Sequence, residues 1–293
     1  MTSSHVPDAL AHAPTAHGLR GDYSRMRQDW TVDQQMGDYS EADHALWRTL
    51  YQRQSKLVKA YAPDVFIRSI ERMDCAHGVP SLENLSARLR RATGWEIAPV
   101  PGLVPDDVFF AHLANRRFPS SFWIRKPEEI DYLVEPDVFH DVFGHVPLLF
   151  DPVFADYLQH YGVGGPKAIE HDAVGILARL YWYMVEFGLI QTEDGLKAYG
   201  AGMLSSFGET QFSVDSASPN RVAFDLERVM RTQYWIDRYQ STYFVLPDFE
   251  TLFRDSIDTD FGPLYDRLKA LEPYKPDEIV AGDNIIQRGT QEP

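Results

Sequence analysis

Cysteine is almost absent from this chain of 293 residues: Cys75 stands alone, which excludes an internal disulfide framework and fits a reducing compartment. No apolar run approaches the ~18 residues a membrane-spanning helix needs, and the N-terminus carries no signal-peptide core, so a cytoplasmic location is expected. Positive charge is scarce as well. Twenty-eight Lys and Arg stand against 43 Asp and Glu, and the formal charge of −15 argues against nucleic acid or an anionic membrane as partners. Internal repeats are lacking too. Core material is plentiful: 44% hydrophobic and 13% aromatic residues suffice for a sizeable interior, in one large domain or two small ones.

Residues 1–25 are rich in Ser, Ala, His, Pro and Gly and read as a flexible tail that buries too little surface to offset its ordering entropy. His5, His12 and His17 are too loosely spaced there to suggest a metal site. Helical signals follow. Ser40 with Asp43 resembles a capping box ahead of Ala42, Leu46, Leu50, Leu57, Val58 and Tyr61 at helical intervals. Pro63-Asp64 opens a second helix through Phe66, Ile70 and Met73, and Ser81 caps a third that ends near Gly94, with Arg88, Arg90 and Arg91 as a solvated face. Residues 99–110 read as a loop entering a helix, with Pro105 in its first turn and Asp106 and Asp107 at the positive end of its dipole. Phe122-Trp123-Ile124-Arg125 reads as a short strand. Gly162-Val163-Gly164-Gly165-Pro166 is expected to break the chain before a long helix carrying Glu186. Gly200-Ala201-Gly202 is a turn, not a dinucleotide loop, because it does not follow a strand and open a helix. Helical periodicity covers Val222 to Ile236, a strand 241–246, a helix 252–271, and residues 277–293 form a polar C-terminal tail.

The most informative stretch is 135–149, where His140 and His145 sit five apart in a strongly apolar run, with Asp141 directly after the first. Imidazole is the commonest protein ligand for a transition metal. On a straight α-helix that spacing holds two side chains ~140° apart, unlike the i,i+4 pair of a zinc-protease helix. The two histidines converge only if the helix loosens, and Gly144 and Pro147 allow that through a π-bulge or an end. A pair of hydrogen-bonded core histidines remains the alternative. Residues 181–190 form a second apolar run with one charge in it, Glu186. An ionised carboxylate buried alone costs several kcal/mol, so Glu186 needs a cation or a proton. Two histidines and a carboxylate compose the facial triad of non-haem Fe(II) oxygenases, which leaves positions open for oxygen. Pairing of Glu186 with Arg179, or exposure at a helix end, is the competing reading.

Three ordered segments carry a resemblance: 140–147 with its His-Asp-Val-Phe-Gly-His-Val-Pro, Tyr181-Trp182 with Val185-Glu186-Phe187-Gly188, and 197–207 ending in Ser205-Ser206-Phe207. Over roughly residues 30–275 the chain resembles the pterin-dependent aromatic amino acid hydroxylases, and is most similar to bacterial members that act on phenylalanine. The resemblance implies a mostly α fold, a single catalytic domain (26–276) of packed helices with small β elements around an iron cleft. It implies hydroxylation of L-phenylalanine to L-tyrosine by O2 and a tetrahydropterin at Fe(II), as the first step of phenylalanine catabolism. His140, His145 and Glu186 would hold the metal. Gly102, Val104, Asp106 and Phe109 would bind the pterin, though Asp106 stands where some relatives carry a smaller hydroxyl residue, and Asp141 would reach it through water. Arg125, a planar fork suited to a carboxylate, would clamp the amino acid, oriented by Asp137. Trp182 and Phe187 would wall the substrate pocket, Ser205 would position substrate and His140, and Val245 would take the place of an acid found in tyrosine-specific relatives. Small molecules are the expected partners. Animal relatives add a regulatory domain and a tetramerising helix for which this chain has no room, so a monomer is expected. A zinc hydrolase using the same three ligands is the alternative.

Overall fold

Ser40 starts the first helix as its sequence suggests. Its hydroxyl accepts from the Asp43 N–H, the Asp43 side chain accepts from the Ser40 N–H, and α1 (Glu41–Tyr61) runs on from there. The structure, a computed structural model, describes residues 20–291 except 22, 132 and 134. α2 (Asp64–Met73) and α3 (Leu82–Ala92) follow, the latter capped by Ser81. A strand β1 (Glu96–Val100), helix α4 (Asp106–Ala114) and strand β2 (Arg117–Ser121) make a small unit in which the two strands pair in parallel. Residues 99 and 100 therefore belong to β1 and not to the loop, Pro105 is the N-cap of α4, and Phe122 to Arg125 lie beyond β2 in irregular chain. Arg125 is tied down by side-chain bonds instead of a ladder, which is why the strand pattern misled.

α5 (Pro152–Glu170) runs straight through the glycine-rich segment that was expected to break the chain, and Pro166 lies inside it. The glycines serve contact. A Cβ at Gly165 would sit 2.0 Å from the Phe110 ring, so its absence lets α4 lie directly on α5. Glu186 follows not from a long helix but from α6 (Val174–Tyr181). Beyond it come β3 (Leu189–Thr192), β4 (Gly195–Ala198), α7 (Ala201–Leu204), α8 (Phe207–Asp215), β5 (Asn220–Ala223), α9 (Leu226–Met230), β6 (Thr242–Leu246), α10 (Phe249–Asp258), α11 (Phe261–Lys269) and β7 (Ile285–Gln287). The order in the larger sheet is β4-β3-β6-β5-β7. The helical pattern over 222–236 is thus split into β5, α9 and irregular chain, because Val222 pairs with Phe244 in the sheet core. The stretch 252–271 holds parts of two helices.

The polar C-terminal tail is not a free tail over its described length. Ile285–Gln287 adds an edge strand to β5, and the Arg228–Asp283 pair, 2.8 Å apart and buried on both sides, anchors the turn before it. At the other end, the tail read over residues 1–25, with His5, His12 and His17, falls mostly outside the described residues. Its last part is held: Tyr23 Oη donates to Leu103 O at 3.1 Å. No helix among the described residues is long and apolar enough to cross a membrane.

The core meets the histidine stretch from below. Trp47 of α1 packs edge-on to Phe139 at 5.3 Å, Phe139 stacks on Phe143 at 5.1 Å, and Phe66 of α2 abuts Phe143. All four rings are fully buried. Such close-packed aromatics hold the backbone between them in one arrangement.

Candidate metal centre and aromatic cleft

Residues His140–His145 form a π-helical turn, followed by a tight 3-10 turn over Val146–Phe150. The wider i→i+5 winding brings residues five apart onto one side, which an α-helix would not. Glu186 arrives in the same way, at the end of a second π-turn over Trp182–Glu186, where Phe187 N–H donates to Trp182 O at 2.9 Å. His140 Nε2 and His145 Nε2 stand 3.3 Å apart; Glu186 Oε1 lies 3.1 Å from His145 Nε2, and its Oε2 3.6 Å from His140 Nε2. All three ligand atoms lie within 4.8 Å of one another. Among the described residues Glu186 has only the two histidines as ion-pair partners, and Arg179 donates instead to Met230 O. The pairing of Glu186 with Arg179 is therefore excluded.

Glycines let the two turns meet. A Cβ on Gly144 would fall 2.8 Å from Ala201 O, and one on Gly200 would fall 2.3 Å from Glu186 O, so α7 presses against both turns. Ser205, just past α7, uses that contact. Its hydroxyl donates to Ala201 O at 2.8 Å and so accepts from His140 Nδ1, also 2.8 Å away. This network assigns the proton to Nδ1 and leaves the Nε2 lone pair facing Glu186, the tautomer a metal ligand needs.

Burial pulls the His140 imidazole down to about 4, outweighing the attraction of Glu186. At His145 burial opposes the carboxylate and the carboxylate wins, holding that imidazole above its ordinary value. For Glu186 burial favours the neutral acid, but His145, His140 and the Gly202 N–H keep it below the ordinary range. A carboxylate held ionised in a buried site between two imidazoles wants a cation, and one neutral and one proton-competent imidazole beside it complete a donor set suited to a divalent first-row metal.

The three donors face a cavity of about 250 Å³. One side of it is the segment Gly102-Leu103-Val104 with Phe109, whose ring lies 5.4 Å edge-on from Tyr181. Trp182 and Tyr234, stacked at 4.3 Å and 15°, form another side. Asp141 lines it too; burial pushes its carboxyl up to about 7 even though Ser121 donates to it from N at 2.7 Å and from Oγ at 2.9 Å. Of the other residues singled out from sequence, Phe187 stands behind Trp182 at 5.0 Å, and Asp106 opens α4 away from the cavity lining. Arg125 and Asp137 lie just outside it as a buried pair, Nε to Oδ2 at 2.9 Å and Nη2 to Oδ1 at 2.8 Å, with the Arg125 N–H on the same carboxylate. Asp137 also accepts from His140 N–H at 3.0 Å, coupling the pair to the histidine turn.

Val245 stands apart from these in position. It sits in β6 between Leu189 and Ala223, buried in the sheet and off the cavity lining. The residue that fills the corresponding aromatic wall is Tyr234, which was read only as helix periodicity. Tyr181 was quoted in a motif but given no role, and Ser121 had no local signal at all.

A family model described as "Biopterin-dependent aromatic amino acid hydroxylase" matches residues 20–259. The chain is 54% identical over 278 residues to the phenylalanine-4-hydroxylase of Ralstonia nicotianae, covering 94% of this chain and 88% of that protein. It superposes on the phenylalanine hydroxylase of Chromobacterium violaceum bound to oxidised Fe(III) with a TM-score of 0.86 at 54% identity, covering 88% of this chain and 94% of the other. The cobalt-bound form of that relative gives 0.87 at 51% identity, over 96% and 100% of the two chains.

Proposed function

This chain belongs to the biopterin-dependent aromatic amino acid hydroxylases, and from that premise we propose that it converts L-phenylalanine to L-tyrosine with O2 and a tetrahydropterin at a non-haem Fe(II) centre. The observation that carries the reading is the convergence of His140, His145 and Glu186 on one side of an aromatic cavity, with the other side of the donor set open. Bound there, iron and pterin would supply the activation of O2; the protein's part is to bind, orient and keep water out.

Ser205 holds His140 as a neutral ligand through Nδ1. Phe109 offers a ring face to a pterin while the main chain at Gly102 and Val104 meets its polar edge, and Asp141 reaches it through water. Arg125 reads the amino acid's α-carboxylate. Its Nε–Nη2 edge is already bonded to Asp137, so the substrate would meet the remaining Nη1–Nη2 edge, and the guanidinium is fixed before binding. Trp182, backed by Phe187, and Tyr234 confine the substrate ring beside the metal. The zinc-hydrolase alternative gains nothing from the Ralstonia and Chromobacterium relatives, which are named phenylalanine hydroxylases.

Metal analysis with oxygen uptake tests the proposal. The iron-loaded chain should consume O2 and form tyrosine only when phenylalanine and a tetrahydropterin are both present, and the zinc-loaded chain should do neither. Tyrosine formation independent of iron, or none with iron, would refute it.

A further inference from the structure

We propose that Glu209 and Gln240 are positioning residues for substrate: they clamp residues 231–241 from beneath, so that Tyr234 is held flat on Trp182 as a fixed wall of the cleft. The inference rests on the reading of the cleft as an amino acid site. Residues 231–241 carry no regular element apart from the single bridge between Thr232 and Tyr274, so whatever fixes Tyr234 must come from side chains.

It comes from both neighbours of Tyr234. On one flank, Gln233 O accepts from Tyr183 Oη at 2.6 Å and Gln233 N–H donates to Tyr274 O at 2.9 Å. On the other, the Gln240 carboxamide takes both main-chain groups of Trp235, accepting from its N–H at 3.1 Å and donating to its carbonyl at 2.7 Å. The loop 235–240 is thereby closed by a side chain that imitates a strand partner. Gln240 is 2% exposed, and its own N–H donates to Glu209 Oε1 at 3.2 Å. Tyr243 Oη donates to the same oxygen at 2.8 Å. Glu209 is 6% exposed on α8 and has no ion-pair partner among the described residues. Burying such a carboxyl is costly unless it is hydrogen-bonded, and the two donors it meets are the Gln240 N–H and the Tyr243 hydroxyl.

What they hold leads to the metal side. From Glu209 the contacts pass through Gln240 and Trp235 to Tyr234, and from Tyr234 by ring stacking to Trp182, the first residue of the π-turn that ends in Glu186. A second hold acts at Gly208, where a Cβ would lie 2.1 Å from Tyr239 Oη, so α8 and the segment touch at two places. Loosening the clamp should free Tyr234 to leave Trp182. The cleft would then lose its ring wall while its metal donors and the Gly102–Phe109 side stay where they are.

The test compares Glu209→Leu, Gln240→Ala and Glu209→Gln in the iron-loaded full chain. The first two should raise the KM for phenylalanine roughly five- to fiftyfold with kcat falling much less, since they remove binding geometry and no reacting group. Bound iron and the pterin KM should change less than about twofold, as neither variant touches those residues. Amide hydrogens over 233–240 should exchange faster, and the near-ultraviolet dichroism of the Trp182–Tyr234 stack should weaken. Glu209→Gln keeps an acceptor oxygen for both donors and should restore the phenylalanine KM, the exchange rates and the dichroism. Unaltered phenylalanine KM in both damaged variants, loss of iron in step with it, or a Glu209→Gln as impaired as Glu209→Leu would overturn the proposal. If Glu209→Leu does not fold, Gln240→Ala reads the same relay. If the unmodified chain turns over no phenylalanine, the functional reading falls instead, and the exchange and dichroism readouts still judge the clamp.

Discussion

The two walls of the cleft are built on opposite principles. The metal wall comes from two short contiguous turns, His140–His145 and Trp182–Glu186, each wound as a π-turn and set on close-packed rings. The Tyr234 wall comes from an irregular segment whose place is fixed by hydrogen bonds with Glu209 of α8, Tyr183 and Tyr274, residues distant from it in sequence. Local winding needs only a few residues of the right kind in a row, whereas a clamped loop depends on partners scattered along the chain. The first kind of wall should fail all at once when a ligand is lost, and the second by degrees.

The largest effect should follow from breaking the metal wall. His145→Ala removes one of three donors and leaves the half-buried Glu186 with a single imidazole beside it. Bound iron, measured after dialysis, should drop to a small fraction of the unmodified chain's, and turnover with it. Retention of both would show that the convergence of these three side chains is a packed cluster and not a metal site.

Next comes Arg125, just outside the cavity beside the histidine turn. Arg125→Lys keeps a charge but has no second edge with which to serve Asp137 and a substrate carboxylate together. A charge-assisted bond is worth ~1.5–3 kcal/mol net, and misplacing the ring adds to the loss. The value of kcat/KM for phenylalanine should fall roughly ten- to several-hundredfold, with iron content intact. Lost iron would make Arg125 a support of the histidine turn through Asp137, and unchanged kinetics would put the carboxylate elsewhere.

The same contrast explains what could be read without the structure. The five-residue spacing of His140 and His145, with Gly144 and Pro147 beside it, already required a loosened helix, because the chemistry of the pair and the geometry of an α-helix disagree. The Ser40 cap was equally local. Where the reading failed, a tertiary contact had overruled a local signal. Gly162 to Pro166 looks like a break until Gly165 is seen against Phe110. Val222 and Phe224 look helical until β6 pairs with that stretch, and the last 17 residues look like a tail until β5 offers an edge to Ile285. Val245 rests on the match to tyrosine-specific relatives and lies off the cavity lining, while Tyr234 gives no sign of its place because its stacking partner, Trp182, is remote in sequence.

The clamp also carries a pH signature. Burial pushes the Glu209 carboxyl from its ordinary value of 4.5 up to about 7, against the bonds from Tyr243 and Gln240. A raised acid binds its proton more tightly folded than unfolded, so folding takes up a proton between about pH 4.5 and 7, and Glu209's contribution is lost as pH rises through that window. At ~1.4 kcal/mol per pH unit the loss is on the order of 3 kcal/mol by pH 8. Urea unfolding of Glu209→Gln should match the unmodified chain near pH 5 and exceed it by that amount at pH 8. Parallel stability curves across the window would mean that Glu209 stays ionised throughout.

Phe109 is the intermediate case, and should give the smallest effect. Its position is local, in the first turns of α4 after the cavity-lining segment 102–104, yet its proposed use depends on a partner ring that a bound pterin would supply. Taken from sequence alone it is a core aromatic, and one side of it behaves as such, edge-on to Tyr181 at 5.4 Å. It nevertheless remains partly exposed and lines the cavity. A ring-on-ring contact is worth ~0.5–1.5 kcal/mol beyond its area, and the area buried on stacking brings the total to ~1–2 kcal/mol. Phe109→Ala should therefore raise the pterin KM roughly five- to thirtyfold, at 1.4 kcal/mol per factor of ten. Phe109→Leu, which keeps bulk without a π-face, should fall between. The KM for phenylalanine should move much less in both, because Trp182 and Tyr234 stand on another side of the cavity. Equal losses in the two KM values would place Phe109 among the packing residues that hold the whole cleft, and an unchanged pterin KM would remove it from the site.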